Sequence, residues 1–197
     1  MSVWMGHSTD AWPGWVALVF AVVVLDAASY LSHVLSHHIK PLWRLHAVHH
    51  GDHALDVTTT VRHHPLELVP TALALGLCAG LFGLTVVHLT FYGTLAFVVQ
   101  LIAHANLRLP RQAMRRVGLV LVTPELHALH HSRRPAETNS NYGTVFSVWD
   151  RMFGTLWLRT GSEPLEFGLD TYATARFRGL LGALSQPFTR PDATPSD

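Results

Sequence analysis

Histidines in this sequence occur in three clusters whose spacing suits metal binding. Two clusters repeat the pattern HxxHH, which puts imidazoles at positions i, i+3 and i+4 on one face of a helix. Imidazole is the commonest protein ligand for iron, zinc and copper. With 15 histidines among 197 residues, HxxHH should arise by chance only about 0.09 times, so its double occurrence predicts a metal site. Eight clustered imidazoles are too many for one metal ion but suit two. The clustered histidines are His33, His37, His46, His49, His50, His127, His130 and His131.

Two further histidines stand at the ends of apolar segments. His64 precedes Pro65, a residue that suits a first helical turn, and His104 closes another apolar segment. A hydrogen-bonded helix end is the alternative for each, but their common depth with the clusters favours ligation, and we predict both as ligands. The remaining histidines lack that support and are interpreted as solvated or interfacial: His7, His38, His53, His63 and His88.

The composition indicates a membrane protein. The chain is 49% hydrophobic and 14% charged, and its net charge of +1 gives no basis for nucleic-acid binding. The single cysteine, Cys78, excludes an internal disulfide and a thiolate cluster, so nitrogen and oxygen atoms must hold any metal. A spanning helix needs about 20 apolar residues. Residues 68–107 contain no charged side chain and predict two spans with a turn near 80–83, and residues 12–32 predict a third, interrupted only by Asp26.

The distribution of cations predicts the orientation of these spans. Lysine and arginine follow the first and third spans, whereas none lies between the second and third. The positive-inside rule therefore predicts that residues 36–64 and 108–197 are cytoplasmic, and every span then brings a histidine to the same depth. Residues 111–122 alternate basic and apolar side chains, which is typical of a helix on the membrane surface.

One ionisable residue lies within the first span. Asp26, Tyr30, His33 and His37 are spaced by four, three and four residues, so a helix presents them on one face. An ionisable residue inside an apolar span is costly and suggests a function. We predict that Asp26, with Tyr30 beside it, orients a ligand imidazole through its far N–H. A structural hydrogen bond to a neighbouring helix is the alternative.

Polar residues near the other histidines are candidates for the same orienting role. Asn106 follows His104, while Asn141 and Asp150 follow the second HxxHH, and for the latter two a plain capping role is the alternative. Residues 1–197 are predicted to form a single domain. Its proline-rich tail, about 186–197, is predicted to be disordered.

The chain resembles the fatty acid hydroxylase/sterol desaturase superfamily of membrane di-iron oxygenases from about residue 20 to 188. It departs from the usual pattern at Val34, where an arginine is common, and in a shorter N-terminal region. The matching stretches are Asp26–His33, Leu42–His50, Asp56–Arg62, His64–Glu67, His104–Asn106, Thr123–His131, Asn141–Gly143 and Trp149–Thr155, with Phe167–Leu169 and Gln186–Phe188 further on.

The spans and this resemblance together predict an all-α, polytopic membrane helical bundle of about three spans plus an interfacial helix. A cytoplasmic helical cap would hold the histidine-rich dimetal site. The resemblance implies two iron ions, with zinc possible in purified protein, and O2 as co-substrate. It implies hydroxylation of an unactivated C–H bond in a membrane lipid, whether sterol, fatty acyl, carotenoid or amino-lipid. Desaturation by the same superfamily is the alternative.

The sequence also suggests where electrons come from. It contains no flavin, haem-domain or Rossmann motif, so a separate ferredoxin or cytochrome b5-like protein with its reductase is the expected partner. Thirteen arginines against one lysine suggest a bacterial inner membrane.

Two other classes of protein remain as alternatives. A histidine-rich metal transporter needs polar residues along a path through the membrane, and residues 68–103 nearly lack them. A di-haem cytochrome needs widely spaced axial histidines, whereas HxxHH crowds them.

Overall fold

The computed structural model is helical, and no strand occurs among the residues it describes. Two isolated bridges, Leu121 with Phe146 and Ser132 with Phe167, pair short extended segments. His7 and residues 191–197 lie outside the described part of the chain. The structure describes residues 12–107, 110–159, 163–172, 175–177 and 179–190.

Three helices are long and apolar enough to cross a membrane, which confirms the predicted spans. The first is α1 (Gly14–His38), followed directly by the shorter α2 (Lys40–His50). The second begins with a 3-10 turn, Pro65–Glu67, and continues as α3 (Leu68–Phe82). The third is α4 (Val86–His104).

The tight turn between α3 and α4 depends on Gly83. Its φ of 65° lies in the left-handed region, which glycine adopts without the steric cost that a Cβ would bring. Leu84 N–H donates to the carbonyl of Ala79 at 2.8 Å and closes the last turn of α3. His88 then caps α4, because its Nδ1 accepts from Thr85 N–H at 3.1 Å. The hairpin tip therefore lies at the opposite end of α4 from His104.

Small and medium side chains let the spans approach each other closely. Ala21 and Leu25 of α1 are fully buried and pack in one cluster with Cys78 of α3, Tyr92 of α4 and Val145. Close packing of this kind holds helices together in a bilayer, where burial of apolar surface gives little driving force. The most exposed side chains on the outer face of α3 are leucines, as expected of a lipid-facing surface: Leu73, Leu77 and Leu81.

The rest of the chain forms a cap of short helices over one end of the bundle. Thr123 caps the helix Pro124–His130 (α6), since its hydroxyl accepts from Leu126 N–H at 3.4 Å, and Pro124 occupies the first turn, as the sequence predicts. The cap helices are α5 (Arg111–Val117), α6 (Pro124–His130), α7 (Pro135–Thr138), α8 (Val148–Met152) and α9 (Leu180–Ser185), with 3-10 turns at Val57–Val61, Asp170–Tyr172, Ala175–Phe177 and Gln186–Phe188.

Two predictions for the cap need correction. The surface helix predicted over 111–122 ends at Val117, because the carbonyl of Gly118 turns to accept from Ser147 Oγ at 2.8 Å and from the Arg151 guanidinium at 2.6 Å. The predicted disorder from 186 is wrong for its first residues. Gln186 is fully buried in a turn that packs against α2, so the cap extends at least that far.

Candidate metal centre

Nine of the ten predicted ligands lie in two adjoining groups. Within each group the candidate ligand atoms lie within 4.8 Å of one another, and eight of the nine residues are buried. We call them the five-histidine group and the four-histidine group. The five-histidine group is His33, His37, His46, His50 and His130, and the four-histidine group is His49, His104, His127 and His131.

The five-histidine group is built by three helices. His33 and His37 come from the end of α1, His46 and His50 from α2, and His130 from α6. The Nε2 atom of His46 lies 3.1 Å from Nε2 of His33 and 3.1 Å from Nε2 of His50. The ring nitrogens therefore converge on one small volume between the helices.

The four-histidine group lies beside it and uses α4 in place of α1. Nε2 of His104, the last residue of α4, is 3.3 Å from Nε2 of His49 and 2.9 Å from Nε2 of His127. Nε2 of His131 is 3.2 Å from Nε2 of His127. The two groups touch, since the rings of His50 and His131 stack with their centroids 4.4 Å apart.

Each HxxHH turn contributes to both groups. On α2 the outer histidines, His46 and His50, face the five-histidine group, while His49 faces the other. On α6 the division is reversed, because the middle histidine, His130, faces the five-histidine group while His127 and His131 face the four-histidine group. The two groups are therefore held by the same pair of helices.

Backbone carbonyls between α7 and α8 orient two of the rings. Nδ1 of His33 lies 2.8 Å from the carbonyl oxygen of Tyr142, and Nδ1 of His130 lies 2.7 Å from that of Ser140. A carbonyl oxygen can only accept, so both Nδ1 atoms carry the proton. The Nε2 atoms of these rings are therefore unprotonated and turn their lone pairs into the group.

Glu67 orients a third ring from the opposite side. Its Oε1 accepts from Nδ1 of His46 at 2.6 Å and from Nδ1 of His63 at 2.9 Å. His63 in turn stacks on His49, with ring centroids 4.2 Å apart. The Glu67 carboxylate thus orients His46 of the five-histidine group directly. It also holds His63, whose ring packs on His49 of the four-histidine group.

The ring of His104 is oriented by its own helix. Its Nδ1 donates to the carbonyl of Gln100 at 2.8 Å and lies 3.2 Å from the hydroxyl of Thr60. Its Nε2 is therefore unprotonated and directed at the four-histidine group.

The short distances between the Nε2 atoms are explained better by a shared metal ion than by hydrogen bonds between the rings. The 3.1 Å contact between Nε2 of His33 and Nε2 of His46 joins two lone pairs, because both Nδ1 atoms hold the protons. It is therefore not a hydrogen bond. Metal–nitrogen bonds of about 2.0–2.1 Å place neighbouring ligand atoms about 3.0–3.4 Å apart. The buried Nε2 atoms of His37 and His130 have no hydrogen-bond partner among the described residues, which also suits ligation.

Burial keeps the imidazoles in the form that binds metal. Removal from water, reinforced by repulsion from neighbouring imidazoles, holds the pKa of these groups well below the ordinary value of 6.5. They are neutral at physiological pH, and neutral imidazole is the metal ligand. The groups concerned are His49, His50, His127, His130 and His131.

The structure corrects the role predicted for Asp26. Among the described residues its carboxylate contacts no histidine and instead accepts four hydrogen bonds, from the Tyr92 hydroxyl, the N–H groups of Val145 and Phe146, and Trp149 Nε1, at 2.8–3.0 Å. The alternative, a structural bond to a neighbouring helix, is the observed arrangement, and it also ties the cap to the spans. Tyr30 likewise contacts no histidine nitrogen, and its hydroxyl pairs with Thr155.

The other predicted orienting residues also act on the backbone. Asn141, at a φ of 54°, bridges the carbonyls of Leu126 and Trp157 through its side-chain amide. Asp150 accepts from the N–H groups of Tyr142 and Gly143 at 2.7 and 2.9 Å. Asp150 therefore fixes the Tyr142–Gly143 peptide, whose carbonyl orients the ring of His33. Asn106 is exposed and no described contact joins it to a histidine.

His64 is the one predicted ligand that lies outside both groups. Its Nδ1 accepts from Leu66 N–H at 3.2 Å, and its Nε2 lies 3.2 Å from the carbonyl of Leu184. Both ring nitrogens are therefore engaged with backbone, and the ring packs against Phe188. This is the helix-end role that the sequence left open.

Sequence reasoning missed the residues that contact the rings from outside. His63 is not simply solvated, as predicted, because it pairs with Glu67 and stacks on His49. The only sequence signal for Glu67 was its place in the stretch His64–Glu67. Ser140 and Tyr142 act through main-chain carbonyls, for which no residue type gives a signal.

Removing the carboxylate of Glu67 is expected to weaken metal binding. Glu67→Gln keeps the shape but cannot accept from both His46 and His63 as strongly, and loss of such a partner costs about 10- to 100-fold in metal affinity. Competition with a chromophoric chelator measures this. Glu163→Gln, which changes an exposed acid in the cap, is the matched control. Wild-type affinity in Glu67→Gln would show that the carboxylate has no role in the centre.

The fold and the two groups together define an all-helical membrane protein with a paired, histidine-only metal-binding centre. Comparison with known proteins identifies the family. The fatty acid hydroxylase family model matches residues 18–155, and the chain belongs to that family. The matched segment includes every histidine of both groups.

Curated relatives carry names of lipid-modifying enzymes. The chain is 32% identical over 183 residues to ornithine lipid hydroxylase OlsE of Rhizobium tropici, covering 92% of this chain and 53% of the relative. It is 30% identical over 153 residues to alkylglycerol monooxygenase of Caenorhabditis elegans, covering 78% and 29%, and 27% identical over 154 residues to the human enzyme of that name, covering 76% and 32%. The chain thus spans about half or less of the length of these relatives. No solved structure matches it.

Proposed function

We propose that this chain holds two iron ions and hydroxylates a C–H bond of a membrane lipid with O2. The observation that carries the proposal is the pair of adjoining groups in which imidazole ring nitrogens face one another at 2.9–3.3 Å, with unprotonated Nε2 atoms at His33, His46 and His104. The printed names of the relatives, a hydroxylase and monooxygenases, support oxygen insertion over desaturation, which stays the alternative.

The proposed ligands are the members of the five-histidine and four-histidine groups. His64 is not among them, since both of its nitrogens bond to backbone. Iron bound by these residues would supply the redox chemistry that transfers one oxygen atom of O2 to carbon and releases the other as water, with two electrons and two protons drawn from outside. A ferredoxin or cytochrome b5-like protein with its reductase is the proposed electron donor. Zinc is expected to occupy the same nitrogens in overexpressed protein.

The residues of this chain contribute orientation and exclusion of water. Glu67 and the carbonyls of Ser140 and Tyr142 hold ring protons on the outer Nδ1 atoms, so that Nε2 atoms stay free to bind. The group members from α2 and α6 are all buried, which limits access of water to the centre. With three helices that can span a bilayer next to the cap, a lipid would reach the centre without leaving the membrane.

The proposed lipid class rests on the names of the relatives. Sterol, fatty acyl, carotenoid and amino-lipid substrates are the candidates, and the ornithine lipid hydroxylase of R. tropici puts amino-lipids first.

A labelling experiment tests the proposed reaction. Protein reconstituted with Fe(II), an electron donor and a bacterial lipid extract should incorporate one atom of 18O from 18O2 into a lipid, detected by mass spectrometry. Protein loaded with Zn(II) is the control and should give no product. Labelled oxygen arriving only from water, or products that lack two hydrogens with no oxygen gained, would reject hydroxylation.

We further propose that the cap faces the cytoplasm of a bacterial inner membrane. In a Cys78→Ala background, Val86→Cys at the exposed start of α4 should react with an impermeant maleimide only from the periplasmic side. Ala136→Cys in the exposed part of α7 should react only from the cytoplasmic side. Reaction of both positions from one side would overturn the three-span topology.

A further inference from the structure

A cavity of about 320 Å³ adjoins the four-histidine group. Its walls come from the end of α4, from α6 and from Phe167 of the cap. This volume lies within the range of about 300–1,000 Å³ that is usual for ligand pockets. The lining residues used below are His104, Asn106, Leu107, Glu125 and Ala128.

The cavity and the metal centre share one ring. His104 lines the cavity, yet it is only 2% exposed, and its Nε2 lies 2.9 Å from Nε2 of His127 inside the group. Ala128 follows His127 on α6 and lies one helical turn from Pro124, another lining residue. A molecule in the cavity would therefore lie against His104, which is itself a member of the four-histidine group.

The position of the cavity along α4 indicates which part of a lipid can reach it. The 19 residues of α4 extend about 28 Å, close to the 30 Å or so of a hydrocarbon core. His104 is the last of them, so Asn106 and Leu107, which are exposed, lie at the boundary with the headgroups. The polar end of a lipid lies at this depth.

The charge of the lining selects among headgroups. Glu125 is the only Asp, Glu, Lys or Arg among the described residues that line the cavity, and it is exposed at the start of α6. The amide of Asn106 adds hydrogen-bonding capacity, and the other described side chains that line the cavity, apart from His104, are apolar. A carboxylate at the mouth attracts a cation and repels a phosphate or a second carboxylate.

We propose that this cavity receives the polar end of the lipid substrate, that Glu125 holds a primary-amine headgroup at its mouth, and that Ala128 sets its depth. The proposal rests on the proposed function of the histidine groups. It adds a headgroup class and a specificity-determining position. Because Ala128 carries only a Cβ, a larger side chain there extends into the space that the headgroup would fill.

Photo-crosslinking tests this without turnover. Zn(II)-loaded protein in lipid nanodiscs is exposed to a diazirine-bearing acyl lipid with a free primary amine in its headgroup, or to the N-acetyl derivative of that lipid. The amine lipid should label residues of the cavity about fivefold more than the acetylated one, the scale of an exposed ion pair. Glu125→Gln should make the two labels equal. Ala128→Phe should lower both by about tenfold, because it fills the site.

Matched controls separate these effects from damage to the fold. Glu163→Gln removes an exposed acid elsewhere in the cap, and Ala136→Phe adds the same bulk on exposed α7, so both should label as wild type. Two metals per chain in each variant reports an intact centre, and Ala128→Leu replaces Ala128→Phe if the latter loses metal. Equal labelling of the two lipids by wild-type protein, labels outside the cavity, or unchanged labelling in Glu125→Gln or in the metal-loaded Ala128 variant would overturn the proposal. Failure of iron-loaded protein to oxygenate a lipid that labels as expected would reject the proposed function alone.

Discussion

Replacing His49 or His130 by alanine is expected to remove at least one metal ion per chain and to abolish turnover. Each change deletes a nitrogen that faces the interior of a group, His49 in the four-histidine group and His130 in the five-histidine group. Loss of a residue that merely orients a ligand costs about 10- to 100-fold in affinity or activity, so loss of the ligand itself should exceed about 100-fold. Metal analysis of purified protein and the 18O2 assay measure the two effects.

The membrane-inserted fold should survive these substitutions. Insertion depends on the apolar spans, and neither His49 nor His130 lies in one. His88→Ala is the matched control, because His88 caps the far end of α4 and should keep both metals. Two metals per chain in both His49→Ala and His130→Ala would contradict the ligand assignment.

Replacing Asp26 by alanine is expected to detach the cap from the spans. The change leaves the Tyr92 hydroxyl, two backbone N–H groups and Trp149 Nε1 without their common acceptor. Leaving a buried donor without its acceptor costs about 1–3 kcal/mol of stability for each group. Thermal unfolding in detergent should show a large fall in Tm. Metal affinity should fall by about 10- to 100-fold, because Val145 and Phe146, which follow the carbonyls that orient His33 and His130, lose their bonds to α1.

Graded substitutions identify the cause. Asp26→Asn keeps one acceptor oxygen and should have an intermediate effect on both measurements. Ser36→Ala is the control on the same helix, since its buried hydroxyl bonds only to the carbonyl of Ser32 within α1. Wild-type stability in Asp26→Ala would mean that the four hydrogen bonds do not hold the cap.

The spans and most of the centre could be predicted because they depend on local pattern. Apolar segments, interrupted only by Asp26, define α1, α3 and α4, and HxxHH spacing puts three imidazoles on α2 and three on α6 with its C-cap His131. His104 could be predicted because the depth at which its span ends is itself a property of the sequence. His64 shares that depth, yet its nitrogens bond to backbone, so depth alone does not decide ligation.

The partners of the histidines could not be predicted, because they arise from contacts between distant parts of the chain. Asp26 meets Val145 across 119 positions, and His33 meets Tyr142 across 109. Main-chain carbonyls carry no sequence signal, and Glu67 resembles any acid at the start of a helix. The division of each HxxHH between two groups also depends on how α2 and α6 are rotated about their axes, which tertiary packing determines.

That division is expected to make the binding of the two proposed metal ions cooperative. A metal bound in the five-histidine group fixes the rotation of α2 through His46 and His50, and thereby aims His49 at the neighbouring group. On α6, His130 does the same for His127 and His131. Binding of the first ion would therefore order α2 and α6, and the second ion would bind without that loss of conformational entropy. At limiting metal, native mass spectrometry should find chains carrying none or two, with the singly loaded species scarce.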